Sequence, residues 1–243
     1  MTKTVLITRA RGDEQTLTDA LHDVGLNVIN EPLTEIILLH TARSALEYAL
    51  HNEPDAVLIT SRHGVRALAS LTTLRDLPLL CVGEATLEAA LSLGFHRAVV
   101  TGETADDMID YVRSAYDDDA KFIYPSAEHV NTDLVEALAQ YGMSVERVVV
   151  YEAQAVASLS DILLEHIKHG QIDAITFLSQ RAATIFTTLS EHTDIKPLCH
   201  EIHACCMSEN VASGLEKAVW KAVHIARKPT LASVAECVDN ALR

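Results

Sequence analysis

The sequence predicts a parallel α/β protein built from two similar halves. Two observations carry that prediction. First, short apolar runs of strand length alternate with amphipathic helical segments from end to end, with few hairpin signals. Second, the chain repeats itself at just under half its length. Asp55-Ala-Val-Leu-Ile-Thr-Ser61 is echoed by Asp173-Ala-Ile-Thr-Phe-Leu-Ser179, and the apolar positions Val65, Leu68 and Leu71 that follow are echoed by Ala183, Phe186 and Leu189. Leu17, Leu21, Gly25 and Val28 match Leu134, Leu138, Gly142 and Val145, and Cys81-Val-Gly-Glu84 matches Cys206-Met-Ser-Glu209. Generic likeness between βα units explains one such match; three in the same order point to a duplication.

Taken in order, the apolar runs predict strands at Thr4–Thr8, Val28–Pro32, Ala56–Thr60, Leu79–Val82, Ala98–Thr101 and Lys121–Tyr124. They continue at Ser144–Tyr151, Ala174–Leu178, His203–Met207 and His224–Ala226. Helical stretches lie between them, such as Thr16–Val24, which sets Leu17, Ala20, Leu21 and Val24 on one face. Each half therefore reads strand–helix–strand, then strand–Ser–helix, then strand–turn–helix–strand. No low-complexity linker separates the halves, and Asp117-Asp118-Asp119 reads as a solvated turn.

Composition narrows the function. With 243 residues, 49% hydrophobic and 22% charged, the chain suits one large or two small globular domains. No apolar run approaches a membrane span, and the opening Val5-Leu6-Ile7 run is too short for a signal peptide, so a cytoplasmic location is expected. Five cysteines, an odd number, argue against a disulfide framework. Cys199, His200, His203, Cys205 and Cys206 invite a metal reading. Strand alternation would point Cys205 and Cys206 to opposite faces, and no Cys-x-x-Cys pair occurs, so no metal is expected. A net charge of −15 disfavours nucleic acid and anionic membranes as partners.

Ligands of parallel sheets collect where the strands end and helices begin. Small polar residues stand at those points: Thr8, Arg9 and Arg11; Thr60, Ser61 and Arg62; Gly83 and Thr86; Ser126; Ser179 and Arg181; Ser208. First-turn amides and the helix dipole make each such point a small anion site, while each hydroxyl is equally an ordinary N-cap. Their number suits a ligand with many carboxylates. Gly-x-Gly-x-x-Gly, Gly-x-x-x-x-Gly-Lys-Ser/Thr and Gly-x-Ser-x-Gly motifs are absent, so no nucleotide cofactor or hydrolase elbow is expected.

At these residues the chain resembles the uroporphyrinogen-III synthase family. The likeness runs through Val5-Leu-Ile-Thr-Arg9, where Ala10 replaces the family proline, then Gly25, Pro32-Leu33 and Asp55-Ala-Val-Leu-Ile-Thr-Ser61-Arg-His-Gly-Val65. It continues through Val82-Gly-Glu-Ala-Thr86, Leu93-Gly94-Phe95, Val149-Val-Tyr-Glu152, Phe177-Leu-Ser179 and Pro229-Thr230. Two departures stand out. The second Gly-x-x-Thr turn has become Ser208-Glu-Asn-Val211, and Ser126-Ala-Glu-His129 lacks the arginine usual in that loop.

The resemblance implies a bilobal molecule with a central cleft. Residues 1–35 with 153–243 would form one α/β domain and 36–152 the other, joined by crossing strands at Glu31–Ile37 and Val148–Gln154. It implies a lyase of heme biosynthesis that needs no cofactor and acts on hydroxymethylbilane, a linear tetrapyrrole with eight carboxylates. Loss of the substrate hydroxyl as water gives an azafulvene cation that attacks the far ring at its substituted carbon; a spiro intermediate then inverts ring D before closure. Tyr151 matches the family tyrosine and would assist departure of the hydroxyl, though a tyrosine packed at a strand end is the plainer alternative. Thr8, Arg9, Arg11, Ser61, Arg62, Gly83, Thr86, Ser126, Ser179, Arg181 and Ser208 would hold the substrate. A monomer is expected, with transient contact to the enzyme that makes hydroxymethylbilane. The competing reading is a bilobal α/β small-molecule-binding protein without catalytic activity.

Overall fold

The computed structural model of the chain describes residues 2–130, 132–215 and 219–243. The first half contains β1 (Thr4–Ile7), α1 (Gln15–Asp23), β2 (Asn27–Asn30), β3 (Thr34–Leu38), α2 (Arg43–His51), β4 (Ala56–Ile59), α3 (Arg62–Leu71), β5 (Leu79–Val82), α4 (Glu84–Ser92), β6 (Ala98–Gly102) and α5 (Ala105–Ala115). The second contains β7 (Lys121–Ala127), α6 (Leu134–Ala139), β8 (Ser144–Ala155), α7 (Asp161–Lys168), β9 (Ala174–Phe177), α8 (Gln180–Glu191), β10 (His203–Cys206), α9 (Glu209–Ala212), β11 (Ala222–Ile225) and α10 (Leu231–Leu242). Each apolar run predicted as a strand is one. β7 and β8 extend beyond the predicted ends, β11 begins and ends earlier, and β3 is a strand that the apolar pattern did not mark.

Met1–Glu35 and Gln154–Arg243 form one compact unit around a five-stranded sheet in the order β11-β10-β9-β1-β2. Its ladders are parallel, and both faces are covered. Leu6, Ile175, Phe177, Ala204 and Cys206 face the core beneath α7 and α8, where Phe177, Phe186 and Trp220 meet with ring centroids 5.6–5.7 Å apart. Val5, Ile7, Ala174 and Cys205 face the opposite core beneath α1 and α10. This double burial is why the strands read as unbroken apolar runs.

Ile36–Ala153 form the second unit, whose six-stranded sheet runs β3-β8-β7-β4-β5-β6. Val57, Ile59, Ile123, Val148 and Val150 pack against α2 and α3, while Ala56, Leu58, Phe122, Tyr124 and Val145 pack against α5 and α6. The two unit boundaries fall inside β3 and β8. Among the described residues no helix is long and apolar enough to cross a membrane.

The repeats seen in the sequence occupy matching places in the two sheets. Reading β11-β10-β9-β1-β2 against β6-β5-β4-β7-β8 aligns each repeated pair. Val5 lies opposite Ala174 as Phe122 lies opposite Ala56, and Val5 pairs Val28 as Phe122 pairs Val145. The repeated aspartates explain the shared register. Asp173 accepts the Thr4 N–H at 2.8 Å and its own N–H donates to the Thr4 carbonyl at 2.9 Å. Asp55 treats Lys121 in the same way, with both bonds at 2.8 Å. Asp173→Ala or Asp55→Ala removes a charged acceptor from a strand-entry amide, with an expected cost of roughly 1.5–3 kcal/mol. Urea unfolding curves measure it, and a midpoint unchanged in both variants would contradict the clasp.

Candidate functional site

Parallel strands deliver their carboxyl ends to one edge of a sheet, so each unit gathers its own set of candidate residues there. In the second unit, β4 ends at Ile59 and leads into Thr60 and Ser61. Ser61 has extended backbone (φ −158°, ψ 157°), and its Oγ accepts the Gly64 N–H at 3.1 Å, capping α3. Gly64 leaves no slack, because a Cβ there would stand 3.3 Å from the Pro125 carbonyl oxygen. The Tyr151 hydroxyl lies 2.8 Å from Ser61 Oγ. Tyr151 is 8% exposed, its ring packed with the α2/α3 core and its centroid 6.1 Å from the His63 ring. Tyr151 and Ser61 are therefore brought together from strands far apart in sequence.

Other candidates in this unit have structural duties. Gly83 sits at φ +77°, a conformation suited to glycine, and its N–H is committed to the Gly102 carbonyl at 2.7 Å. Thr86 is buried in the first turn of α4, a helix without a side-chain cap. Ser126 is 1% exposed; its hydroxyl donates to the Ala127 carbonyl and accepts from Arg147 Nε at 2.8 Å. Arg147 also donates Nη2 to the Ala127 and Glu128 carbonyls, at 2.9 and 2.6 Å. The sequence reading missed this arginine, which reaches the loop from the neighbouring strand. Nearby, Tyr124 bonds Thr60 at 3.0 Å, and burial pushes the Tyr124 phenol pKa up. Arg62 is half-buried at the start of α3.

In the first unit, Ser179 and Ser208 cap α8 and α9 by accepting the Ala182 and Val211 N–H groups, at 3.1 and 3.3 Å. Ser208 thus supplies a cap where its counterpart Gly83 has none. Thr8 is buried, and its hydroxyl donates across the sheet to the Thr176 carbonyl at 3.0 Å. Arg9 Nη2 lies 3.6 Å from Asp13 Oδ2, while Arg9 Nε is buried without an acceptor. Arg11 and Arg181 are exposed.

The cysteines divide as alternation requires, Cys206 into the α7/α8 core and Cys205 into the α1/α10 core. Among the described residues no group of three or more His, Cys, Asp and Glu side chains is placed to hold a metal. Burial pushes Cys81 up to about 12 and Cys199 up to about 11, so both stay protonated thiols at neutral pH. Cys205 is raised mainly by donating to Cys237, and that bond lowers Cys237, which lines a groove of about 380 Å³ between β11 and α10. Iodoacetamide at pH 8 should label Cys237 first, with Cys81, Cys199 and Cys205 reacting only in denaturant. Peptide mass mapping reads the order; equal labelling of Cys81 in the folded protein contradicts it.

The site's geometry can be set beside known proteins. A family model described as uroporphyrinogen-III synthase HemD matches residues 15–236. A curated relative, the porphyrin biosynthesis protein HemD of Ruminiclostridium josui, is 23% identical over 247 residues, covering 95% of this chain and 47% of the relative. The chain thus spans about half the length of that relative. Uroporphyrinogen-III synthetase from Helicobacter pylori 26695 superposes with a TM-score of 0.58 at 17% identity, covering 100% of both chains, and shares the fold. Thermus thermophilus uroporphyrinogen III synthase aligns over 100% of both chains at 16% identity, with a TM-score of 0.43. With the family model matching nearly the whole sequence, this chain belongs to the uroporphyrinogen-III synthase family.

Proposed function

We propose that the chain is a uroporphyrinogen-III synthase, a cofactor-free hydro-lyase that closes hydroxymethylbilane with inversion of ring D and loss of water. In a chain of this family, the observation that carries the reading is the hydroxyl pair Ser61–Tyr151 at the carboxyl edge of β4 and β8. In this reading the two compact units, Met1–Glu35 with Gln154–Arg243 and Ile36–Ala153, are its domains, one residue away from the expected break at 153. It works as a monomer in the cytoplasm, and five free cysteines fit a reducing compartment.

The chemistry asks for little acid strength and much orientation, because the substrate closes unaided to the unrearranged isomer. Tyr151 would donate its proton to the leaving hydroxyl, which departs as water while the pyrrole nitrogen lone pair fills the azafulvene bond. Ser61 Oγ has one proton to give and already accepts from Gly64, so its own proton is available to the phenol oxygen. Negative charge forming on that oxygen would be stabilised by Ser61 and, behind it, by the N-terminus of α3. The proton shed from the ring carbon at final closure returns to the phenolate, and the net change is one water lost. Helix first-turn amides at both units' strand ends, together with Arg9, Arg11, Arg62 and Arg181, would hold the carboxylates. A −15 chain can hold a polyanion through such local fields.

Hydroxymethylbilane made in situ, with isomers III and I scored after oxidation, tests the proposal; an unaltered yield of isomer I from wild type would sink it. Tyr151→Phe should lower kcat by on the order of 10²-fold, more than Ser61→Ala or any single Thr8, Thr86, Ser126, Ser179 or Ser208 replacement by alanine. Wild-type turnover in Tyr151→Phe would remove the role given to the phenol.

A further inference from the structure

The loop after β7 has no arginine of its own, yet a guanidinium stands there. Arg147 projects from β8, in register with Tyr124, and reaches the carboxyl end of β7. Nε and Nη2 are spent on Ser126 Oγ and the Ala127 and Glu128 carbonyls, bonds that fix the plane of the group. None of these acceptors is a carboxylate, and no acceptor is described for Nη1. The residue is half-buried. An arginine held rigidly by neutral oxygens keeps its full charge, and its two Nη1 N–H groups are left for an anion.

The duplication supplies an independent observation. Ile7 pairs Asn30 in the first unit as Tyr124 pairs Arg147 in the second, so Asn30 and Arg147 occupy equivalent positions. Two residues beyond Ile7 and Tyr124 stand Arg9 and Ser126. Each unit therefore carries one arginine and one small polar residue at the same place, with the strands exchanged. In the first unit the pair is unsatisfied, since Arg9 Nε and Asn30 Oδ1 are both buried without partners. In the second, arginine and hydroxyl bond each other directly.

We propose that Arg147 is a carboxylate-binding residue of the second unit, the counterpart of Arg9, and that it takes one carboxylate side chain of a polyacidic ligand. That the polyacid is a linear tetrapyrrole rests on the function proposed above. Ser126 is then a positioning residue, holding the guanidinium rather than the ligand.

Fluorescence titration with uroporphyrin III, an octacarboxylate, tests the inference on the whole protein, with turnover measured in parallel. Arg147→Gln should raise the uroporphyrin Kd about tenfold and weaken its salt dependence, and should raise KM for hydroxymethylbilane more than it lowers kcat. Arg147→Lys keeps the charge without the planar fork and should give an intermediate Kd, which serves as the readout should the glutamine variant not fold. Kd and salt dependence equal to wild type in a folded variant would overturn the proposal and leave Arg147 as a loop brace. The titration decides this separately from the reaction. A wild type that makes isomer III with an unaffected Arg147→Gln sinks only the inference, whereas a wild type without isomer III sinks the function and leaves the carboxylate site to be judged on Kd.

Discussion

Parallel strands share no tight turn that fixes their register, and here the adjacent central strands come from distant parts of the sequence. The pairing of β1 with β9 and of β7 with β4 must be set by side chains. A single aspartate does this in each unit, gripping both backbone groups of the residue that enters the neighbouring strand. A slip of one residue would turn every buried side chain to the other face. It would also displace Thr8 and Ser179 from the strand ends of one sheet, and Ser61 and Ser126 from those of the other. The composition of the functional edge follows from an interaction at the opposite end of the strands.

That edge is less open than a roll of hydroxyl side chains implies. Ser61, Ser179 and Ser208 each give an acceptor lone pair to a helix amide, Thr8 points into the sheet, and Ser126 is sealed beneath Arg147. Such caps contribute about 1 kcal/mol each to their helices. A serine that caps can still serve a ligand, because it retains a proton and a second lone pair. Ser61 does both, since it meets Gly64 and Tyr151 at once. For a strongly acidic chain this economy matters. In the proposed function, anion affinity would come from aligned amides and a few fixed guanidinium groups rather than from net charge.

Much of the fold was legible because double burial writes a strand as an apolar run, and because duplication writes it twice. The failures have physical causes. β7 runs past Tyr124 although Pro125 lacks an N–H; its ladder to β4 is paired only as far as Ile123, so the proline costs no bond there. β3, Thr34-Glu35-Ile36-Ile37-Leu38, lies at the edge of its sheet with none of its residues fully buried, so it lacks the signature of a doubly buried strand. In the candidate site, Ser61 could be singled out as a small polar residue at a strand end and Tyr151 by the family resemblance, but their contact could not, because it depends on sheet order. Arg147 was hidden for the same reason. Within Ser144–Ala155 nothing local separates an arginine that climbs to the strand end from one that faces water.

The two units are most informative where they differ. Gly83 and Thr86 in one answer to Ser208 and Val211 in the other, so α9 has a hydroxyl cap and α4 has none. Arg9 beside Asn30 answers to Ser126 beside Arg147. β2 stops at Asn30, while its counterpart β8 continues to Ala155 and so carries Tyr151 beyond any position β2 possesses. A duplicated scaffold repeats its anion-holding features by default, which serves a ligand with many like groups. The ring closure proposed above acts at one carbon, which requires that the repetition be broken. The longer strand does that, because it places a phenol against the Ser61 cap in one unit and leaves the Ser179 cap in the other without such a neighbour from β2.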